Sequence, residues 1–305
     1  MLKLVLGGSG SGKTTLLYAQ IKARAKAGRR SILLVPEQFT SATEARIYRE
    51  LGDALSGRVE SFSFTSLAEK ILSTEGGAAV QTLTDAGRAV LVRRALEELQ
   101  DHVHYYYRHR RSAAFCQMAS ETIDELKSAG LSGGQLAALA QNCGAESGKL
   151  AELALIFQGY ETLLARTGMD PADRLELAAI RLEDALARGA LPPFLREREV
   201  FIDEFDTFNA PKKRLMGAML AALPTVTVAL CDDGTPLTPG DLSLFSGAKQ
   251  VAAQLRQLAR KNGAEVAAPM LLRRDVRHKE APGLAALTEI LETGSCPPLD
   301  APAAE

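Results

Sequence analysis

Two short stretches hold most of the chemistry legible in this chain. Residues 7 to 15 read GGSGSGKTT, and residues 200 to 208 read VFIDEFDTF. In the first, Gly7, Gly12, Lys13 and Thr14 fit the spacing G-x-x-x-x-G-K-[ST]. Glycines let backbone approach an anion closely, so the N–H groups of Gly8, Ser9, Gly10, Ser11, Gly12 and Lys13 would wrap a phosphate at the start of a helix. Lys13 would reach the outer phosphate oxygens, and Thr14 would hold a magnesium ion. The second stretch is an apolar run ending in two acids. Asp203 would hold the same ion through a water, and Glu204 is the candidate acid that orients an attacking water. A glycine-serine turn would account for the glycines but not for the Lys-Thr pair that follows them. An apolar strand running into a solvated turn would account for the acids taken alone. The two stretches together predict a triphosphate site in which Lys13 and Asp203 meet across one sheet.

Such a site needs strands that end in loops and helices that begin there. Leu2 to Leu6 is a short β-type run stopped by glycines, and Lys13 to Ala27 has helix-forming composition with Gly28 as its stop. Ser31 to Pro36 is a second buried-strand pattern, followed by Ser41 and Glu44 in capping-box spacing. Arg58 to Phe64 alternates as a strand does, and Ser66 with Glu69 offers another box before SLAEKIL. Strand character returns at Glu199 to Phe205 and Thr225 to Asp233, with a helix after Pro211. This alternation predicts an α/β fold around a parallel sheet.

Between about Thr84 and Ala190 the pattern changes to long helices. Leu150, Leu153, Phe157, Tyr160 and Leu164 recur every three or four residues and make one apolar face. The expected organisation is therefore a phosphate-loop domain in two pieces, 1–78 and 195–272, interrupted by an all-helical insertion over 79–194. Residues 273–305 are charged, then rich in proline and alanine, and read as a linker or truncated tail, with RRDVRHK as an exposed charge run.

The chain has 305 residues, 46% of them hydrophobic, and a formal net charge of -1. That charge excludes a global positive field drawing the chain onto nucleic acid, so any such contact must be local. Cys116, Cys143, Cys231 and Cys296 lie far apart without a CxxC pair, and the four histidines are scattered. They read as buried, reduced thiols rather than a metal site. No apolar run reaches membrane-spanning length and the N-terminal run lacks signal-peptide architecture, which predicts a cytoplasmic protein with no membrane partner.

Among phosphate-loop families, LSGGQ at Leu131 to Gln135 suggests an ABC-type ATPase, but it lies far upstream of Asp203 and lacks that family's basic continuation. The arrangement instead resembles superfamily 1 helicases of the UvrD type, in which a RecA-like domain is interrupted by a helical subdomain before the acidic strand. More specifically, GGSGSGKTTLL, ILLVPEQFTSATEARIYRELG, VESFSFTSLAEKIL and VFIDEFDTF, in this order, resemble the N-terminal region of the B subunit of AddAB-type helicase-nucleases. The resemblance spans nearly the whole chain. It implies an ATP- and Mg²⁺-binding part of a machine that processes double-strand breaks, partnered by an AddA-like motor and nuclease subunit and by single- or double-stranded DNA ends. It also implies a strand-guiding, Chi-scanning role for this part of the machine. The family's nuclease domain, second RecA-like domain and iron-sulfur cluster are not expected in these residues. Other classes remain in view: a self-sufficient phosphate-loop ATPase or small-molecule kinase, and a scaffold that nucleotide merely stabilises.

DNA contacts are expected on the loops that follow the strands, where open α/β sheets bind ligands. Gln38 and Thr40 follow the second strand, Phe64 and Thr65 the third, and Phe205 and Phe208 the acidic one. Phenylalanine stacks on bases, while glutamine and threonine bond phosphate or base edges. Equally, Phe64 is explained as core and Thr40 as a helix cap. HVHYYYRHRR at 102–111 reads either as a stacking surface for single strands or as a helix end packed on the insertion. After the fifth strand the chain reads CDDGTPLTP, without the glutamine that motor helicases place there, so hydrolysis is expected to be weak at most.

Overall fold

The computed structural model describes residues 1–77, 79 and 81–295. Its six strands are β1 (Leu2–Gly7), β2 (Ser31–Leu34), β3 (Val59–Phe62), β4 (Glu199–Ile202), β5 (Thr225–Cys231) and β6 (Met270–Leu272). They form one sheet in the order β3-β2-β4-β5-β1-β6, with every pairing parallel. The α/β class with a parallel sheet is therefore as the sequence predicts, and the sixth strand is an addition to it. The helices are α1 (Lys13–Lys26), α2 (Thr40–Leu51), α3 (Asp53–Ser56), α4 (Phe64–Glu75), α5 (Asp85–Glu98), α6 (Ala113–Ser128), α7 (Gly133–Ala140), α8 (Ser147–Thr167), α9 (Pro171–Ala187), α10 (Ala210–Ala222), α11 (Ser246–Lys261) and α12 (Pro282–Thr293).

The described chain divides into two compact units. The first comprises Met1–Leu67, Leu182–Phe208 and the chain from Met216 onward, and holds the whole sheet. Its central strands β1, β2, β4 and β5 are buried on both faces, as βα crossovers require of a parallel sheet, while the edge strands β3 and β6 are less so. Val5, Leu33, Val35, Phe201 and Ala229 pack on Leu17, Tyr18 and Ile21 of α1 and Ile47 and Leu51 of α2. The alternate residues Leu4, Leu6, Ile32, Leu34, Val200, Ile202, Val226, Val228 and Leu230 are buried on the other face.

The second unit, Ala68–Arg181 with Asn209–Leu215, is helical. The face expected on α8 forms part of its core, where Phe157, Tyr160 and Leu164 pack with Leu91, Val92, Ala95 and Leu96 of α5 and Cys116, Ala119 and Ile123 of α6. A polar network is buried beside it. Tyr160 donates from its hydroxyl to Asp170 Oδ1 at 2.7 Å, and Lys127 Nζ donates to Asp170 Oδ2 at 2.8 Å and Asp173 Oδ2 at 2.7 Å. The LSGGQ string opens α7: Ser132 accepts from the Gln135 N–H, and the Gln135 side chain accepts from the Ser132 N–H. That capping box gives the string a structural explanation.

Two other boxes differ from expectation. Ser41 lies inside α2, which begins at Thr40 after a 3-10 turn over Glu37–Phe39, so no box forms with Glu44. The cap of α4 sits three residues earlier than SLAEKIL suggested. Ser63 Oγ accepts from the Ser66 N–H at 3.1 Å, and Ser66 Oγ accepts from the Ser63 N–H at 2.8 Å. Two serines thus cap each other, and Glu69 instead pairs with Arg174. Of the cysteines, Cys116 is buried, Cys231 half-buried and Cys143 exposed, while Cys296 lies outside the described residues.

Candidate functional site

Every strand ends at the same edge of the sheet, and that edge collects the residues predicted to do chemistry. Gly7 ends β1 opposite Cys231 and Leu272, and the loop from Gly8 to Gly12 leads into the first turn of α1. Gly10 and Gly12 have φ of 75° and 87°, a left-handed geometry that turns successive N–H groups the same way and that glycine adopts without strain. Ser11 Oγ is buried within the loop without a partner, the kind of orphaned polar atom a bound anion or its water satisfies. Lys13 Nζ donates to the Gly7 and Gly8 carbonyls at 2.8 and 2.7 Å, which holds the ammonium over its own loop.

Asp203 reaches this loop by register and alternation. β4 pairs with β2 and β5, and the Asp203 N–H continues the ladder to the Leu34 carbonyl at 3.0 Å. Phe201 faces α1 and α2, so Asp203, two residues on, faces the same way. The Thr14 hydroxyl lies beside its carboxylate and favours the ionised form. Burial pushes the Asp203 carboxyl above its ordinary pKa, opposed by Thr14, the Glu204 backbone, Lys13 and Arg46.

Glu204 is exposed and takes a φ of 64°, one of two non-glycine residues among those described with positive φ. Left-handed backbone at a glutamate costs about 1 kcal/mol and is concentrated at functional sites. Desolvation and the adjacent Asp203 charge raise its pKa, and Arg46 and Arg277 oppose this. Arg46 lies 4.5 Å over the Tyr18 ring, one turn along α1 from Thr14, with its Nε buried and unpartnered. Arg46 did not stand out in the sequence and Arg277 was read only as part of an exposed charge run, because only the α1–α2 packing and the fold of the chain after β6 bring them here.

The residues expected to meet DNA separate into two environments. Gln38 and Thr65 are exposed, and Thr40 is half-buried with its hydroxyl donating to the Glu37 carbonyl. Phe64, Phe205 and Phe208 are buried and pack on one another, with ring centroids 5.2 to 6.0 Å apart. In the helical unit, 102–111 is anchored from inside: the Glu152 carboxylate accepts N–H groups from His104, Tyr105 and Tyr106, and Arg110 covers the Tyr107 ring at 3.8 Å. Tyr105 remains exposed.

β6 adds to the sheet beside β1. In the stretch after it, 273–305, Asp275 bonds His278 at 2.7 Å and α12 follows. The sequence signal for β6 is a three-residue apolar run, MLL, too short to stand out. Among the described residues no group of three or more His, Cys, Asp or Glu is placed to hold a metal, and no helix is long and apolar enough to cross a membrane.

The residues match a known family. Residues 4–288 fit the family described as ADDB, N-terminal. The chain is 33% identical over 300 residues to the B subunit of an ATP-dependent helicase/deoxyribonuclease from Moorella thermoacetica, covering 94% of this chain and 25% of that protein. It is 32% identical to the protein of that name from Desulforudis audaxviator and 30% identical to one from Clostridium perfringens, covering 89% and 91% of this chain and 23% and 24% of theirs. It therefore spans about a quarter of the length of these curated relatives. With a match to residues 4–288 and relatives of 30% identity or more that cover about nine-tenths of the chain, it belongs to the ADDB N-terminal family.

Proposed function

We propose that this chain is the ATP-binding, helicase-like N-terminal part of a B-type subunit of an ATP-dependent helicase-nuclease. In this reading it binds ATP with Mg²⁺ at the loop Gly7 to Thr14 and guides single-stranded DNA over the neighbouring strand ends. An AddA-like subunit supplies the motor, and the assembly processes broken DNA ends for homologous recombination in the cytoplasm, scanning for Chi. The observation that carries the nucleotide site is the approach of the Thr14 hydroxyl to the Asp203 carboxylate, which brings the loop Gly7 to Thr14 to the buried acid at the end of β4.

Thr14 and Asp203 are the residues that would hold the ion, which when bound neutralises charge on the outer phosphates. The carboxylate supplies the negative charge and the hydroxyl a neutral oxygen, a hard-oxygen pair suited to Mg²⁺. Lys13 would leave the Gly7 and Gly8 carbonyls to bond phosphate oxygens, and Glu204 would orient water. Turnover is expected to be weak because β5 runs into CDDGTPLTP without a glutamine.

Calorimetry with ATP, with and without Mg²⁺, tests the site. Wild type should bind, Lys13→Ala should lose roughly a hundredfold in affinity, and the difference should shrink without the ion. A flat titration of a folded chain would sink the nucleotide reading. Single-strand binding that weakens steeply with salt is expected alongside it.

A further inference from the structure

The chain that follows β6 closes over the phosphate loop. The Val276 and Arg277 N–H groups donate to the Gly10 carbonyl at 3.0 and 3.2 Å. Asp275 accepts from the Arg277 and His278 N–H groups at 2.9 and 3.1 Å, and its Oδ1 lies 2.6 Å from where a Cβ on Gly10 would stand. α12 then brings a second acid to the start of the loop. The Ser9 N–H donates to Glu292 Oε1 at 3.1 Å, and the same carboxylate lies so close over Gly8 that a Cβ there would collide with it.

Outward-facing N–H groups of such a loop are the donors a phosphate uses. A carboxylate is the protein group nearest to phosphate in charge and acceptor chemistry, and one N–H cannot serve both fully. We propose that Glu292 is an internal anionic ligand of the phosphate loop that competes with nucleotide phosphate, so that full affinity for ATP requires α12 to release it. This rests on the reading of the loop as a nucleotide site and adds its regulation.

The hold on α12 is slight enough to be reversible. Ala286 is its one fully buried side chain among those described, whereas Leu284, Leu287 and Leu291, at helical spacing, are exposed. Little apolar burial therefore fixes the helix, and the Glu292 contact with Ser9 adds to it. Glu292 also borders a cavity of about 380 Å³, shared with Ser9, Phe205, Asp206, Cys231 and Phe245, which gives the side chain room to leave the loop.

The test titrates ATP with Mg²⁺ into the 305-residue chain by calorimetry, comparing wild type with Glu292→Gln and Glu292→Ala, with circular dichroism to establish that each is folded. Glu289→Gln, exposed one turn earlier on α12, controls for general charge. Both Glu292 variants should bind about tenfold more tightly than wild type, and Glu289→Gln should match wild type. Unchanged affinity in both folded Glu292 variants overturns the internal ligand while leaving the nucleotide site standing, as does an equal gain in Glu289→Gln. If wild type and all variants fail to bind ATP, the nucleotide reading falls and this proposal with it.

Discussion

The Thr14 hydroxyl lies beside the Asp203 carboxylate, bringing the first turn of α1 to the end of β4 although α2 to α9 intervene in sequence. Removing either end should therefore injure the same property. Thr14→Val and Asp203→Asn are each expected to weaken Mg²⁺-dependent ATP binding by roughly tenfold to a hundredfold, while ion-free binding changes far less. Titrations with and without Mg²⁺ measure the difference. Equal losses under both conditions would show that the pair holds the loop in shape and not an ion.

Asp203 sits in a buried place that disfavours its ionised form, which has a cost without nucleotide. Its folded-state pKa is raised, chiefly by burial, so the unfolded chain gives up this proton at lower pH than the folded chain does. The stability this group allows is complete below the ordinary carboxylate range and falls as pH rises through the folded value. Asp203→Asn removes that loss. The variant is expected to melt above wild type by about 1 kcal/mol at pH 8, with the gain disappearing as pH falls below 4. Thermal melts across that range check the sign, and a variant less stable than wild type at pH 8 would refute it.

Glu204 separates backbone strain from chemistry. Glycine accepts a φ of 64° freely, so Glu204→Gly should stabilise the chain by up to about 1 kcal/mol, while Glu204→Gln should leave stability nearly unchanged. Both should remove whatever ATP hydrolysis the chain supports and keep ATP binding. Phosphate release and chemical denaturation, run on the same samples, distinguish the two effects. Hydrolysis surviving in Glu204→Gln would take the water-orienting role away from this residue.

The parts of this fold that announce themselves in sequence are those fixed by local rules. The glycine-rich loop before α1 is legible because glycine, lysine and threonine stand at set spacings, and β1, β2, β4 and β5 because each is an apolar run ended by turn residues. The α8 face is legible from its period. What stayed hidden depends on distant neighbours. β6 is too short for any pattern, yet it pairs beside Gly7 and sets the following chain over the loop. The approach of Glu292 to Ser9 and of Arg46 to Tyr18 involves residues unremarkable in their own segments. The caps moved for a local reason: Ser63 and Ser66 satisfy each other's N–H groups, an alternative to the serine–glutamate pair that spacing alone does not rank.

The same distinction decides which residues beside the strand ends would be available to DNA. Phe64 is buried against Phe205 and Phe208, so truncating it leaves a cavity, whereas Thr65, its neighbour, is exposed on the first turn of α4. Phe64→Ala is expected to destabilise the chain by about 3 kcal/mol, and its effect on DNA binding should follow from that loss of fold. Thr65→Ala and Gln38→Ala should leave the melting curve in place and weaken single-strand binding several-fold, because an exposed hydroxyl or amide contributes to a phosphate or base-edge contact and little to packing. Fluorescence anisotropy with a labelled oligonucleotide, paired with a denaturant melt of each variant, separates the two outcomes. If Thr65→Ala and Gln38→Ala bind as wild type does while a folded Phe64→Leu does not, the aromatic cluster itself meets the bases, and the strand path runs through the Phe64 pocket instead of across the exposed loop tips.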